Sequence, residues 1–111
     1  MDQLLQVVAE ETSTGAVIRL VGELDMSTAG MLQPVFDLVL GEGTEITIDL
    51  RELRFSDSSG LRELLRVQGY AEAGHSRLAL VPGPPQVMRL FEIAGLLESF
   101  RFVEDAHQGA C

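Results

Sequence analysis

Glu45-Ile46-Thr47-Ile48-Asp49-Leu50 is followed, after a short polar stretch, by Phe55-Ser56-Asp57-Ser58-Ser59-Gly60-Leu61. The first segment alternates strictly. Ile46, Ile48 and Leu50 fall to one side and Glu45, Thr47 and Asp49 to the other, which is the period of a strand with one apolar face. The second segment reads as a helix start, because Asp and Ser oxygens accept from the free N–H groups of a first turn. Leu61, Leu64, Leu65 and Gln68 then share one stripe until Gly74. Residues 45–50 are therefore expected as a strand, 51–57 as a loop and 58–73 as a helix.

Downstream, residues 77–81 read as a strand with Leu78 and Leu80 on its inner side. Pro82-Gly83-Pro84-Pro85 makes a turn, and Pro85 suits the first position of a third helix. Val87, Leu90, Phe91 and Ala94 form that helix's apolar face. Gly95 and then Leu96 suit a Schellman end. Phe100 and Phe102 alternate with Arg101 and Val103 as a last short strand, all three late phenylalanines are expected in the core, and 104–111 reads as a disordered tail.

Upstream, residues 4–10 and 16–24 read as strands joined by a turn, hence a hairpin. Residues 27–40 have helical spacing, with Leu32, Val35, Phe36 and Val39 on one face, Ser27 or Thr28 as cap and Gly41 as stop. Pro34 conflicts with a regular helix, since an interior proline costs about 3 kcal/mol. Residue i−4 is Gly30, which has no side chain to clash. A kinked helix or an irregular first turn is expected.

The order after the hairpin is strand-helix-strand-helix-strand-helix-strand. It places the chain in the α/β class: an N-terminal hairpin strand plus a largely parallel sheet of four to five strands with right-handed crossovers. Parallel strands covered on both faces read as continuous apolar runs. Here Arg19, Glu23, Glu45, Thr47, Asp49 and Arg77 interrupt them, so the helices are expected mainly on one face.

The 111 residues suffice for one domain, placed at 1–103, with 46% hydrophobic and 23% charged residues. No apolar run approaches the ~20 residues of a membrane span, and the N-terminus shows no basic-then-apolar leader. The single cysteine, Cys111, allows no intramolecular disulfide. A cytoplasmic protein with no membrane partner is expected. All eight basic residues are arginine and the net charge is −9, which argues against direct nucleic-acid binding. His75 and His107 are expected in solvent, no residues have metal-ligand spacing, and no Gly-x-Ser-x-Gly elbow or Gly-rich phosphate loop is present. No enzyme activity, cofactor or metal is expected. An aspartate-phosphorylated receiver domain would need an acidic pair after its first strand and a late lysine; the chain has no lysine.

A serine directly after Asp57 stands at the rim of the sheet beside a carboxylate, where a kinase can reach it. Phosphorylation would add a charge of about −1.5 to −2. Helix N–H groups can accommodate that charge, while Asp57 and Asp25 repel it. From the residues alone, the same segment is equally a plain helix start. Met26, next to Asp25, reads either as a docking residue or as ordinary packing.

Gly22-Glu23-Leu24-Asp25 with Thr28-Ala29, then Ile48-Asp49-Leu50 and Phe55-x-Asp57-Ser58-Ser59-Gly60-Leu61, resembles the STAS domain of anti-sigma-factor antagonists. Val87-x-Arg89-Leu90-Phe91, Ala94-Gly95-Leu96 and Phe100 extend the likeness to about residues 4–103. Either leading motif alone would be weak; the pair is specific. The resemblance implies a β-α superhelix and a phosphorylation switch; separately, a monomer is the simpler expectation. Ser58 would be phosphorylated by a partner that is both a GHKL-type serine kinase and an anti-sigma factor. The unphosphorylated form would bind that partner and free a sigma factor, and a PP2C-type phosphatase would restore it. The implied partner-binding residues are Asp25, Ser27, Thr28, Asp57, Ser58, Ser59, Gly60 and Leu61. Two departures stand out: Ser56 replaces the family's usual Ile or Met and adds a candidate acceptor, and Pro34 lies in the first helix. The resemblance also implies that relatives without the acceptor serine serve only as scaffolds; retention of Asp57 and Ser58 favours a switch. The alternative for this chain is a non-catalytic STAS scaffold or a subunit of a larger signalling or lipid-transport complex.

Overall fold

The computed structural model describes residues 4–105. Strands β1 (Leu5–Glu11) and β2 (Gly15–Leu24) form the expected hairpin, antiparallel from Leu5 opposite Gly22 to Glu11 opposite Ala16. Helix α1 is Leu32–Val39, followed by β3 (Glu45–Asp49), β4 (Leu53–Ser56), α2 (Ser58–Ala73), β5 (Arg77–Val81) and α3 (Pro85–Ile93). The sheet runs β1-β2-β3-β5, with β3 and β5 parallel to β2 and to each other, and β4 parallel to the distal end of β2.

Strand β4 corrects the expectation of a loop over 51–57. Strand β3 pairs with β2 only as far as Arg19, after which the chain jogs through residues 50–52 and pairs again from Gly22 onward. Asp49 holds the jog: it accepts from the backbone N–H of Arg51 at 3.0 Å and takes its guanidinium in a two-pronged pair at 3.0 and 2.8 Å. Gly22 is the matching irregularity in β2. Its φ of +117° belongs to glycine, and a Cβ there would stand 2.1 Å from the Leu4 carbonyl. The expected strand over 100–103 is a single parallel bridge between Leu80 and Phe102.

The three helices lie on one face. Leu32 and Phe36 of α1, Leu61, Leu64, Val67 and Ala71 of α2, and Val87 and Phe91 of α3 share one buried cluster with Leu5, Ile18, Leu20, Ile46, Ile48, Leu78 and Leu80 of the strands. In α2 the buried stripe includes Val67 and Ala71, with Leu65 and Gln68 at its margin, a rotation from the expected stripe. Phe91, Phe100 and Phe102 pack edge to face, with ring centres 5.6–6.5 Å apart. The opposite face is not uniformly wet. Val17 and Val81 are buried there with Val103 packed against them, and Asp49 lies beneath its pair with Arg51.

Pro34 is the third residue of α1, where its missing N–H would have no intrahelical partner, and the turn before it, Ala29–Met31, is 3-10. The expected irregular first turn is thus present. The expected Ser27 or Thr28 cap is not, for neither side chain bonds a helix N–H. Helix α3 begins at Pro85 and ends as expected: Gly95 has φ +73°, its N–H reaches the Glu92 carbonyl, and the Leu96 N–H reaches that of Phe91. From residue 106 onward the expected tail, with His107 and Cys111, lies outside the described residues. Among the described residues no helix is long and apolar enough to cross a membrane.

Candidate functional site

Strands β2 and β4 run parallel and end side by side, Leu24 opposite Ser56. The loop leaving β2 carries Asp25, Ser27 and Thr28; the chain leaving β4 passes through Asp57 directly into the first turn of α2, which carries Ser58, Ser59, Gly60 and Leu61. The two segments are stitched together at the base: the Asp57 N–H donates to the Leu24 carbonyl at 3.3 Å.

The loop after β2 folds on itself. The Thr28 hydroxyl is buried; it donates to the Glu23 carbonyl at 2.9 Å and accepts from the Asp25 N–H at 2.9 Å. This explains why Thr28 does not cap a helix, since its oxygen is already committed to the backbone just upstream. Ser27 turns outward and donates its hydroxyl to the Asp25 carboxylate at 2.7 Å and its N–H to the same oxygen at 2.9 Å. The Ser27 hydroxyl bond, with smaller help from Thr28, holds the Asp25 carboxyl below the usual carboxylate range. Asp25 is therefore a fixed negative charge at the rim.

Asp57 is the N-cap of α2. It has extended backbone, and its Oδ1 accepts from the Gly60 N–H at 3.1 Å. Ser58 is then the first helical residue and is exposed. Ser59 is half-buried. Ser56 is half-buried too and donates to the Asp57 carbonyl at 3.2 Å. Gly60 and Leu61 are buried, with Leu61 only 3% exposed. Gly60, Leu61 and Thr28 thus shape the rim from below, and their side-chain positions face the core.

The rim proper comprises Asp25, Met26, Ser27, Asp57, Ser58 and Ser59. Met26 is 81% exposed, so of its two sequence readings the packing one is corrected: nothing covers it. Phe55, paired across from Glu23, is 48% exposed, a surface position that sequence reasoning misses. Its signal in the sequence is the alternation Leu53-Arg54-Phe55-Ser56, too short to be distinguished from a loop.

Residues 7–104 match the family described as "Mlab, STAS domain". The chain is 34% identical over 94 residues to an anti-sigma F factor antagonist of Lysinibacillus sphaericus, covering 83% of this chain and 78% of that one. Its fold is similar to that of an anti-sigma factor antagonist from Mycobacterium paratuberculosis, with a TM-score of 0.80 and 24% identity over 96% of this chain and 93% of the other. It is also similar to the anti-sigma factor antagonist SpoIIAA in its unphosphorylated form, with a TM-score of 0.70 and 25% identity over 88% of each chain. The phosphorylated form of SpoIIAA, from Bacillus, is similar at a TM-score of 0.65 and 25% identity, covering 88% and 91%.

Proposed function

This chain belongs to the STAS domain family, and from that membership we propose that it is a cytoplasmic anti-sigma-factor antagonist switched by phosphorylation of Ser58. Unphosphorylated, it binds an anti-sigma factor that is also a GHKL-type serine kinase, and a sigma factor is released. Phosphorylated, it no longer binds, until a PP2C-type phosphatase restores the hydroxyl. No step requires catalysis by this chain.

The observation that carries the reading is the exposed Ser58 hydroxyl at the first residue of α2, on the rim it shares with Asp25. The competing serines are less available. The Ser27 hydroxyl is committed to the Asp25 carboxylate, and Ser56 is wedged beneath α2, where a Cβ on Gly60 would come within 2.3 Å of its oxygen. The existence of SpoIIAA, a similar protein, in both unphosphorylated and phosphorylated forms supports the reading of a phosphorylated serine here.

Charge outweighs the lost hydroxyl in such a switch. One neutral hydrogen bond contributes about 0.5–1.5 kcal/mol. Two like charges ~4 Å apart repel by about 1 kcal/mol in bulk water and about 4 kcal/mol at an effective dielectric of 20. A dianion at Ser58 adds its repulsion to that of Asp57 and Asp25 against an acidic partner surface, and against an apolar one it adds the cost of desolvating the charge. Pull-down from the native host with phosphosite mapping tests the proposal. Recovery of a serine kinase with phosphate on Ser58 supports it; recovery of a membrane transporter complex with Ser58 unmodified overturns it.

A further inference from the structure

Arg62 stands one turn beyond Ser58 in α2, and both residues are exposed. Helical side chains tilt toward the N-terminus, and residues four apart stand with their Cβ atoms about 5–6 Å from each other. At this spacing an Arg62 side chain can reach back to Ser58. Among the described residues it has no ion-pair or hydrogen-bond partner. The acidic groups nearby are engaged elsewhere: Glu63 pairs with Arg66, Asp57 caps Gly60, and Asp25 accepts from Ser27. The fixed charges that α2's cap and the β2–α1 loop bring to this rim, Asp57 and Asp25, are both negative. Among the described residues Arg62 is thus a cation without an ion-pair partner, one helical turn from a neutral hydroxyl.

Resting on the reading of Ser58 as phosphoacceptor, the geometry points to Arg62 as the residue that receives the phosphate, in an intrahelical phosphoserine–arginine pair. The guanidinium fork can meet two phosphate oxygens at once. The order is the favourable one, with the anion in the first turn and the cation four residues on. The pair holds the dianion on the exposed face of α2 without moving the fold. It also offsets part of the repulsion from Asp57, so the modified state is stabilised locally while its charge still faces an incoming partner. Arg62 is thus a positioning residue for the modification, not a catalytic one.

The test uses the full chain with phosphoserine genetically encoded at position 58, carrying Arg62, Arg62→Gln or Arg62→Lys, titrated by phosphorus NMR. Pairing favours the dianion, so Arg62→Gln should raise the second phosphate pKa by roughly 0.3 pH unit, as expected for one exposed i,i+4 pair. Arg62→Lys should fall between. The difference should shrink at about 1 M salt, where the Debye length is about 3 Å. Superimposable titrations of the Arg62→Gln variant and the protein that keeps Arg62 would overturn the pairing. Because the phosphoserine is encoded, a host kinase that ignores Ser58 would sink the proposed function and leave this result standing, and the converse holds equally.

Discussion

Gly60 lies so close to the end of β2 that a Cβ on it would stand 2.7 Å from the Leu24 carbonyl and 2.9 Å from the Leu24 side chain. The first is a backbone atom already accepting from Asp57, so it cannot retreat without parting the two loops of the rim. Gly60→Ala gains about 1 kcal/mol of helix propensity but incurs an overpacking cost of about 1–3 kcal/mol. The net expectation is a loss of roughly 1 kcal/mol of unfolding free energy, read as a lower urea midpoint, and weaker partner binding. An unchanged midpoint would mean that the close approach does not constrain the site.

Ser58→Ala and Ser58→Glu separate the hydroxyl from the charge. Alanine at an exposed first helical position should leave unfolding within about 0.5 kcal/mol of wild type and keep most of the affinity for the kinase partner, with no phosphate incorporated. Glutamate carries one charge rather than nearly two, and the rim is solvated, so its loss should be roughly ten-fold, about 1.4 kcal/mol. Calorimetric titration of both variants against the recovered partner gives the answer, and equal affinities would refute the electrostatic switch.

Asp49 predicts a pH dependence. Burial pushes its carboxyl up, but the hydrogen bonds and charge of Arg51, with Arg19 nearby, outweigh that and leave its pKa below the ordinary value. A carboxyl lowered in the folded state contributes stability above the unfolded value of about 3.9, and loses it as pH falls through the folded value. Asp49→Asn should therefore cost roughly 1–3 kcal/mol at neutral pH. The gap between the variant and wild type should narrow as pH drops below about 4. Urea unfolding at neutral pH and again at the acid end reads this directly; a gap that stays constant would assign Asp49 a role independent of its charge.

The same Asp49–Arg51 pair explains what the sequence could and could not tell. Helix α2 and strand β5 have the bounds expected from their residues, because Asp57, Gly74 and the alternation in 77–81 act locally. Strand β4 does not. Leu53–Ser56 becomes a strand only because the jog after Asp49 delivers it to the free end of β2, a contact between residues some thirty positions apart. The eight candidate residues were legible as two clusters, which the structure places on the loop after β2, at the cap of α2 and in α2's first turn. Their division into exposed and buried was not: Leu61 and Thr28 read as partner-facing by motif, yet both face inward. Burial depends on where α2 lies across β2, and no local pattern encodes that.

Thr28 and Ser27 are adjacent hydroxyls with opposite expected effects. Thr28→Val keeps the shape but strips the hydrogen bonds from the Glu23 carbonyl and the Asp25 N–H, both partly buried, at a cost of about 1–3 kcal/mol. The loop after β2 should loosen, and partner affinity should fall with stability. Ser27→Ala removes an exposed group and should shift the unfolding free energy by less than about 0.5 kcal/mol. It does take away the main hydrogen bond holding down the Asp25 carboxyl, so the Asp25 pKa should rise toward the ordinary carboxylate value. Carboxyl-carbon NMR titration of the Ser27 variant and urea unfolding of the Thr28 variant test the two halves. If Thr28→Val unfolded like wild type, the buried hydroxyl would not be what shapes the rim.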